Sequence, residues 1–173
     1  MIKAGIIGGA GYTAGELIRI LINHPEVKLD FVYSTSQPGK PVAGVHQDLL
    51  GEIDLQFTGE INKNADVVFL CLGHGNSIKF LGDNQFSEKT KIVDLSTDYR
   101  MNGEHAFVYG LPEFNKEKIK KADFIANPGC FATAISLAIL PLAKAGLLHN
   151  ELHINSVTGA TGAGTSLSAT THF

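Results

Sequence analysis

Residues 8–15 read Gly8-Gly9-Ala10-Gly11-Tyr12-Thr13-Ala14-Gly15, and this glycine-rich run decides the fold class. It follows a short apolar run and precedes an amphipathic stretch, which is the setting of a turn that binds the pyrophosphate of a dinucleotide. Gly8 permits a tight turn, Gly11 lets the backbone approach the phosphates, and Ala14 lets the helix pack closely on the strand. The spacing is GxxGxxA and departs from GxGxxG, so a strand–helix turn without a ligand is the competing interpretation.

Short apolar runs alternate with amphipathic stretches along most of the chain. The patterns predict strands over residues 3–7, 28–34, 66–72, 91–95 and 124–126. They predict helices over residues 14–23, 76–81, 116–121 and 133–145. This alternation predicts an α/β fold with a Rossmann-like, doubly wound, mainly parallel sheet, and we expect residues 1–126 to form the dinucleotide-binding domain.

The last part of the chain has a different character. A weak period-two pattern predicts a strand over residues 153–158, and a run rich in Gly, Thr, Ser and Ala follows it. The helix over residues 133–145 is apolar enough to be buried on most sides, with Pro141 dividing or kinking it and Gly146 ending it. We expect residues 127–173 to be the start of an α+β substrate or dimerisation domain that is truncated here.

Composition narrows the class of protein. Hydrophobic residues make up 44% and charged residues 18% of the 173, as in a soluble globular chain. The net charge of −3 offers no basic face to nucleic acid, and no apolar run of membrane-spanning length occurs. The N-terminus lacks a signal-peptide pattern, so we expect a cytoplasmic protein. Cys71 and Cys130 belong to no CxxC motif or Cys/His cluster, so we expect neither a disulfide nor a metal site.

The end of the second predicted strand indicates which dinucleotide binds. A site specific for NAD usually has an acidic residue there for the ribose 2′-hydroxyl. This chain has Ser34, Thr35 and Ser36 instead, with Lys40 nearby. Hydroxyl groups and a lysine suit a 2′-phosphate, so the sequence predicts NADP; an ordinary polar loop is the alternative.

A cysteine stands where the last predicted helix begins. Pro128 and Gly129 end the preceding strand, and Cys130 falls in the first turn of the helix. A helix N-terminus favours a thiolate, and its free N–H groups can hold an oxyanion formed when the sulfur attacks a carbonyl. These features predict a nucleophile, whereas Cys71, inside an apolar strand, is expected to be a buried hydrophobic residue. A thioester on Cys130 would be a hydride acceptor for NADPH.

Seven motifs in chain order carry a resemblance to a known family. They are Gly8 to Leu17, His24-Pro25, Gly39 to Val42, Leu72-Gly73-His74-Gly75, Asp94 to Arg100, Tyr109 to Glu113, and Ala126-Asn127-Pro128-Gly129-Cys130. Over essentially the whole chain these motifs resemble the N-acetyl-gamma-glutamyl-phosphate reductase family of arginine biosynthesis. The related aspartate-semialdehyde dehydrogenases fit the motifs less well.

The resemblance implies a reaction and a set of site residues. NADPH would reduce a small-molecule acyl phosphate, N-acyl-gamma-glutamyl phosphate, to the semialdehyde, with Cys130 as the nucleophile. The full-length protein is expected to be a homo-oligomer. The residues expected to line the NADP site are Gly8, Gly9, Ala10, Gly11, Tyr12, Thr13, Ser34, Thr35, Ser36, Leu72, Gly73, His74, Asn127, Thr158 and Gly159.

The sequence also departs from the family pattern. Phe131-Ala132 stands where Tyr-Pro is common, Ala14 and Gly15 reverse the usual order, and Thr165 replaces a basic residue. The family's acid–base histidine lies in a His-Arg-His type motif, which does not occur before Phe173, and His172 is expected to be structural. We therefore expect these 173 residues alone to catalyse the reaction slowly or not at all.

Three interpretations stay open from the residues themselves. The chain is an N-acyl-gamma-glutamyl-phosphate reductase, an enzyme acting on aspartyl phosphate, or a non-catalytic NADP-binding module. Ser96, Asp98, Arg100 and Glu113 either serve the acyl-phosphate site or hold loops through hydrogen bonds and ion pairs.

Overall fold

One parallel sheet organises the computed structural model, which describes residues 1–149 and 151–164. Its strands, in chain order, are β1 (Ile2–Ile7), β2 (Val27–Tyr33), β3 (Phe57–Thr58), β4 (Val67–Leu70), β5 (Lys91–Asp94), β6 (Val108–Tyr109) and β7 (Phe124–Ala126). Their order across the sheet is β3-β2-β1-β4-β5-β7-β6, and every pairing among these strands is parallel. The predicted Rossmann-like, doubly wound sheet is therefore confirmed.

The helices connect these strands. They are α1 (Tyr12–Ile22), α2 (Ser77–Asp83), α3 (Pro112–Ile119) and α4 (Cys130–Lys144), with short 3-10 turns at Val42–Gly44, Gln47–Leu49 and Ala160–Ala163. Each predicted helix exists, with ends that differ by one to four residues; α3 begins earlier than the charge pattern indicated because Pro112 suits its first turn.

The two faces of the sheet have separate cores. Ile6 lies in one cluster with Ala14, Ile18 and Leu21 of α1. Its neighbour Ile7 lies in the other, against which Phe80 of α2 packs. Adjacent strand residues point to opposite faces, so strands that are apolar on both faces need a helix layer on each side.

The carboxyl ends of the parallel strands meet at one edge of the sheet. β1 lies centrally, with β2 and β3 on one side and β4, β5, β7 and β6 on the other. The chain changes direction across the sheet between β3 and β4, so the crevice outside β1 and β4 is the topological switch point. Ligands bind at such a point in open α/β sheets.

The end of the described chain corrects two predictions. The predicted strand over residues 153–158 is wrong: the segment has no regular structure and is exposed, because no described strand lies beside it to pair with. The expected burial of the last helix is also wrong, since α4 has no buried residue in the described structure. Leu137 and Leu142 of α4 are 41% and 45% exposed.

Two further predictions about α4 concern Pro141, expected to divide or kink the helix, and Gly146, expected to end it. The helix runs undivided through Pro141. Gly146 ends it as predicted, with φ of 69° and with the Leu147 N–H donating to the Leu142 carbonyl at 2.9 Å.

Candidate active site

Sterics of the fold require the first two glycines of the turn after β1. Gly8 has φ of 82°, and a Cβ there would lie 2.5 Å from the Cys71 carbonyl oxygen. A Cβ on Gly9 would overlap Val32 Cγ1. The Gly8 and Gly9 amides both donate to the Tyr33 carbonyl, at 3.1 and 2.9 Å. The turn is therefore pressed between the ends of β2 and β4.

Gly11 differs from these two because the protein around it leaves room. Its φ is −85°, and of the described atoms beyond its chain neighbours a Cβ would have only the Gly8 carbonyl oxygen within 4 Å, at 3.8 Å. The Ala10 N–H has no acceptor in the described part of the chain. Tyr12 and Thr13 open α1 and contribute first-turn N–H groups. Free space beside these backbone N–H groups, at the N-terminus of a helix, fits a dinucleotide pyrophosphate.

The turn after β4 forms the second wall of the crevice. Leu72 Cδ2 would lie 3.3 Å from a Cβ on Gly8, so the two turns are in contact. Gly73 and His74 are exposed beyond it. His74 Nδ1 accepts a hydrogen bond from the Thr97 N–H at 3.2 Å, which ties this turn to the loop after β5.

Asp98 caps α2 from the loop after β5. Its carboxylate accepts the N–H groups of Gly75, Ser77 and Ile78 at 2.6, 2.9 and 3.2 Å. Burial raises the Asp98 pKa, but these bonds and one from Ser96 outweigh it, and the pKa is lowered. These bonds support the loop-holding alternative for Asp98.

Asp94 is a buried carboxylate that sequence reasoning missed. It ends β5 with no solvent exposure. The hydroxyls of Ser77 and Ser96 donate to its two oxygens at 2.6 and 2.7 Å, and the Ser96 N–H adds a third bond at 3.2 Å. Ser96 is thereby assigned to this network, which joins β5 to the start of α2. Nothing in the local sequence pattern indicated that the Asp94 side chain is buried.

The predicted recognition segment for the 2′-phosphate lies beside the glycine turn, since β2 pairs with β1. Ser34 is buried, its N–H donates to the Thr58 carbonyl at 3.1 Å, and its Oγ lies 3.3 Å from Ser36 Oγ. Thr35, Ser36 and Lys40 are exposed. These three polar residues therefore lie exposed on the segment that follows the end of β2.

Cys130 is exposed and is the first residue of α4. The strand before it, β7, is held against β5, and the Asn127 N–H donates to the Asp94 carbonyl at 2.8 Å. Three strand spacings separate β1 from β7, or about 14 Å across the sheet edge. The sulfur and the glycine turn therefore belong to the same edge of the sheet, with the turns after β4 and β5 between them.

Arg100 fixes the segment that presents the cysteine. Its Nε donates to the Asn127 carbonyl at 2.8 Å and its Nη2 to the Leu95 carbonyl at 2.7 Å. A Cβ on Gly129 would lie 2.9 Å from Arg100 Nη1. The guanidinium therefore lies against the residue before Cys130 and holds the loops together. Glu113 is exposed in the first turn of α3, where it complements the helix dipole.

Cys71 has the opposite environment. Burial, followed by the nearby Asp94 carboxylate, raises the pKa of Cys71 to about 12. The side chain packs against the core cluster that contains Ile6 and Phe57. Cys71 is half-buried, whereas the sequence predicted a buried residue, and its thiol is protonated near neutral pH.

Two predicted cofactor residues are not brought to this crevice by any described contact. Thr158 and Gly159 are exposed, and the one side-chain bond of Thr158 runs to the neighbouring Gly159 carbonyl at 3.3 Å. Thr165, His172 and Phe173 lie outside the described residues. Within residues 1–149 and 151–164, no helix is long and apolar enough to cross a membrane, and no metal-binding group of His, Cys, Asp and Glu side chains occurs.

Two family models match the chain. Residues 3–122 match the model of the semialdehyde dehydrogenase NAD-binding domain. Residues 130–173 match the model of the semialdehyde dehydrogenase dimerisation domain.

Relatives and solved structures agree with these models. The chain is 73% identical over 174 residues to N-acetyl-gamma-glutamyl-phosphate reductase of Christiangramia forsetii and 64% identical over 178 residues to that of Flavobacterium johnsoniae. All of this chain is aligned in both cases, and it spans 54% and 55% of those proteins, about half their length.

Two solved structures share the fold. Aspartate semialdehyde dehydrogenase II of Vibrio cholerae, complexed with ASA, superposes with a TM-score of 0.67 at 17% identity, covering 95% of this chain and 48% of that one. Aspartate semialdehyde dehydrogenase of Candida albicans, with NADP, gives 0.61 at 20% identity, covering 86% and 48%.

Proposed function

Because this chain belongs to the semialdehyde dehydrogenase family, we propose that it is part of a cytoplasmic, NADP-dependent reductase of arginine biosynthesis that acts on N-acyl-gamma-glutamyl phosphate. One observation carries the proposal: an exposed cysteine opens α4 on the same sheet edge as the glycine turn. The 73% identity to a relative named N-acetyl-gamma-glutamyl-phosphate reductase supports the substrate.

The chain's own groups account for cofactor binding. The N–H groups of Ala10, Tyr12 and Thr13 hold the pyrophosphate, with the space beside Gly11 left for it. Thr35, Ser36 and Lys40 hold the 2′-phosphate, and the absence of a carboxylate at this end of β2 supports NADP over NAD. Leu72, Gly73, His74 and Asn127 line the way towards Cys130. When bound, NADPH supplies the hydride.

Cys130 carries the substrate through the reaction. Its thiolate attacks the acyl carbon, the carbon–oxygen bond to phosphate breaks, and inorganic phosphate leaves with the bonding electron pair. The first-turn N–H groups of α4 stabilise the oxyanion. Hydride addition to the thioester carbon gives a tetrahedral oxyanion on Cys130. The carbonyl then re-forms, the carbon–sulfur bond breaks with its electron pair on sulfur, and the aldehyde leaves while Cys130 regains its thiolate.

Domain arrangement and assembly are part of the same proposal. We place the cofactor domain at residues 1–126 and the start of the catalytic domain at residues 127–173, and the two family-model matches lie on either side of that boundary. The full-length protein is a homo-oligomer, which the dimerisation-domain match and the exposed apolar side chains of α4 support.

A competition assay tests the substrate. The full-length protein is assayed in the reverse direction, with NADP, inorganic phosphate and either N-acetylglutamate semialdehyde or aspartate semialdehyde. The proposal predicts NADPH formation that depends on phosphate and a kcat/KM at least 100-fold higher for the glutamate derivative. Preference for aspartate semialdehyde, or reduction of NAD faster than NADP, would contradict it.

A further inference from the structure

His46 is a buried imidazole that the proposed chemistry does not use. It lies between the 3-10 turns Val42–Gly44 and Gln47–Leu49, and only 7% of its surface is exposed. Its Nε2 lies 2.8 Å from the Gly9 carbonyl oxygen, 37 positions away in sequence. A carbonyl oxygen only accepts, so Nε2 carries the hydrogen and donates it.

With this bond, both backbone polar groups of Gly9 are held by hydrogen bonds. The Gly9 N–H already donates to the Tyr33 carbonyl at 2.9 Å, and His46 now holds the Gly9 carbonyl. In a planar trans peptide the C=O and the following N–H point in opposite directions. The Ala10 N–H therefore points away from His46, and it has no acceptor in the described part of the chain.

Gly15 makes room for the imidazole. A Cβ on Gly15 would lie 2.7 Å from His46 Nδ1 and 2.9 Å from Cε1, so any side chain there would displace the ring. This contact gives a physical reason for a glycine at position 15 of this chain. His46 and Gly15 form one packing unit.

A bidentate ion pair anchors the segment that carries His46. The Nε and Nη2 groups of Arg19 donate to the two oxygens of Asp48, the second at 2.7 Å. Arg19 belongs to α1, one turn after Gly15. The imidazole is thus held against Gly15 of α1, and its ring centroid lies 6.4 Å from that of Phe57.

We infer that His46 is a positioning residue for the dinucleotide: by holding the Gly9 carbonyl it orients the Ala10 N–H towards the pyrophosphate and so sets cofactor affinity. This inference rests on the proposed NADP site. The same bond connects the two proposed parts of the cofactor site. The segment that begins with Ser34–Ser36, proposed to hold the 2′-phosphate, contacts the glycine turn again through His46.

Two substitutions of equal length separate the hydrogen bond from the volume. The His46→Gln side chain keeps an N–H donor at the Nε2 position, whereas His46→Met fills similar space without a donor. The dissociation constant for NADPH is measured by fluorescence titration of each folded full-length protein. We expect His46→Met to weaken binding about five- to tenfold, the usual effect of one lost hydrogen bond, and His46→Gln to stay within about twofold.

Gly15→Ala and a distant histidine complete the test. Gly15→Ala gains helix propensity but displaces the buried ring, and the displacement offsets the gain, so we expect weaker NADPH binding without higher thermal stability. His105 also bonds a main-chain carbonyl through Nε2, that of Met101 at 2.9 Å, and the control variant His105→Met should bind NADPH normally.

The outcomes distinguish the inference from the proposed function. An unchanged dissociation constant in folded His46→Met and in Gly15→Ala, with wild-type binding intact, would overturn the inference alone. A wild-type protein that does not bind NADPH would overturn the proposed NADP site and the inference with it. Should His46→Met not fold, Gly15→Ala decides the question.

Discussion

At the scale of single residues, Gly11 separates what the fold needs from what a ligand needs. Among the described residues outside its immediate chain neighbours, only the Gly8 carbonyl oxygen lies within 4 Å of a Cβ placed there, and φ is ordinary for any residue. Gly11→Ala should therefore change the free energy of unfolding by less than about 1 kcal/mol but weaken NADPH binding at least about tenfold. Urea unfolding and fluorescence titration measure the two quantities.

Gly8→Ala is the matched comparison. A side chain at φ of 82° and 2.5 Å from the Cys71 carbonyl oxygen should cost more than about 2 kcal/mol of stability. Equal loss of stability in both variants would show that Gly11 serves the fold, and the pyrophosphate assignment would fail.

The two cysteines should react at very different rates. Cys130 is exposed at a helix start, whereas burial raises the pKa of Cys71 to about 12 and keeps it as a thiol. Iodoacetamide at pH 7.5 should alkylate Cys130 at least about tenfold faster, as read by peptide mass spectrometry. Equal, slow labelling of both would favour a non-catalytic NADP-binding module.

Single residues also show where sequence reasoning stops. The glycine turn, Ser34 to Ser36 and Cys130 could be proposed from the sequence because each stands next to a strand or helix end that the pattern predicts. His46, Asp94 and Arg100 act through partners 37, 17 and 27 positions away, so no local pattern could assign their roles.

At the scale of elements, α2 depends on a cap supplied from outside the helix. Asp98 bonds three N–H groups at its start, while α2 has only seven residues. Asp98→Ala should destabilise the protein by about 1 kcal/mol, as loss of a capping side chain does. Asp83→Ala, at the opposite end of the same helix, should have no such effect in the same urea titration.

Acid should remove the same stabilisation. The Asp98 pKa is lowered on folding from its ordinary value of 3.8, so its contribution is fully present above that value and disappears as pH falls through the folded pKa. The stability difference between wild type and Asp98→Ala should therefore be constant from pH 5 to 7 and shrink below pH 4. A difference that does not shrink between pH 5 and pH 2.5 would contradict the capping role of the carboxylate.

Long, periodic elements were predictable, and short or unpartnered ones were not. The five longer strands and four helices follow from hydrophobic pattern, whereas β3 and β6 have two residues each and carry no period. The prediction of a strand over residues 153–158 was wrong because a strand forms only where another strand pairs with it. The existence of α4 was predicted correctly, but its burial was not, because burial depends on what packs against the helix.

At the scale of the whole molecule, the sheet domain has a packed core on both faces, whereas α4 and the residue Leu147 after it leave apolar side chains exposed. The two core clusters close both faces of the sheet, yet Phe131, Leu137, Leu142 and Leu147 are 41–62% exposed. Burying such side chains stabilises a protein by about 25 cal/mol per Å² of apolar surface. We therefore expect contacts within the longer protein, or between its copies, to cover this surface.

This arrangement predicts binding without turnover. Residues 1–173 should bind NADPH but show less than about 1% of the turnover of a chimera that continues into the second half of the Christiangramia forsetii relative. Size-exclusion chromatography with light scattering should show that the chimera is an oligomer. Full activity of the 173-residue chain would contradict the assignment of essential groups to the remaining length.

The acyl-enzyme itself is the most direct test of the sulfur chemistry. The full-length protein is mixed with N-acetyl-gamma-glutamyl phosphate without NADPH, quenched in acid and digested, and the modified residue is located by mass spectrometry. We predict one N-acetylglutamyl group on Cys130, lost when NADPH is added before the quench and absent from Cys130→Ser. Acylation of Cys71, or turnover in Cys130→Ser, would contradict the account.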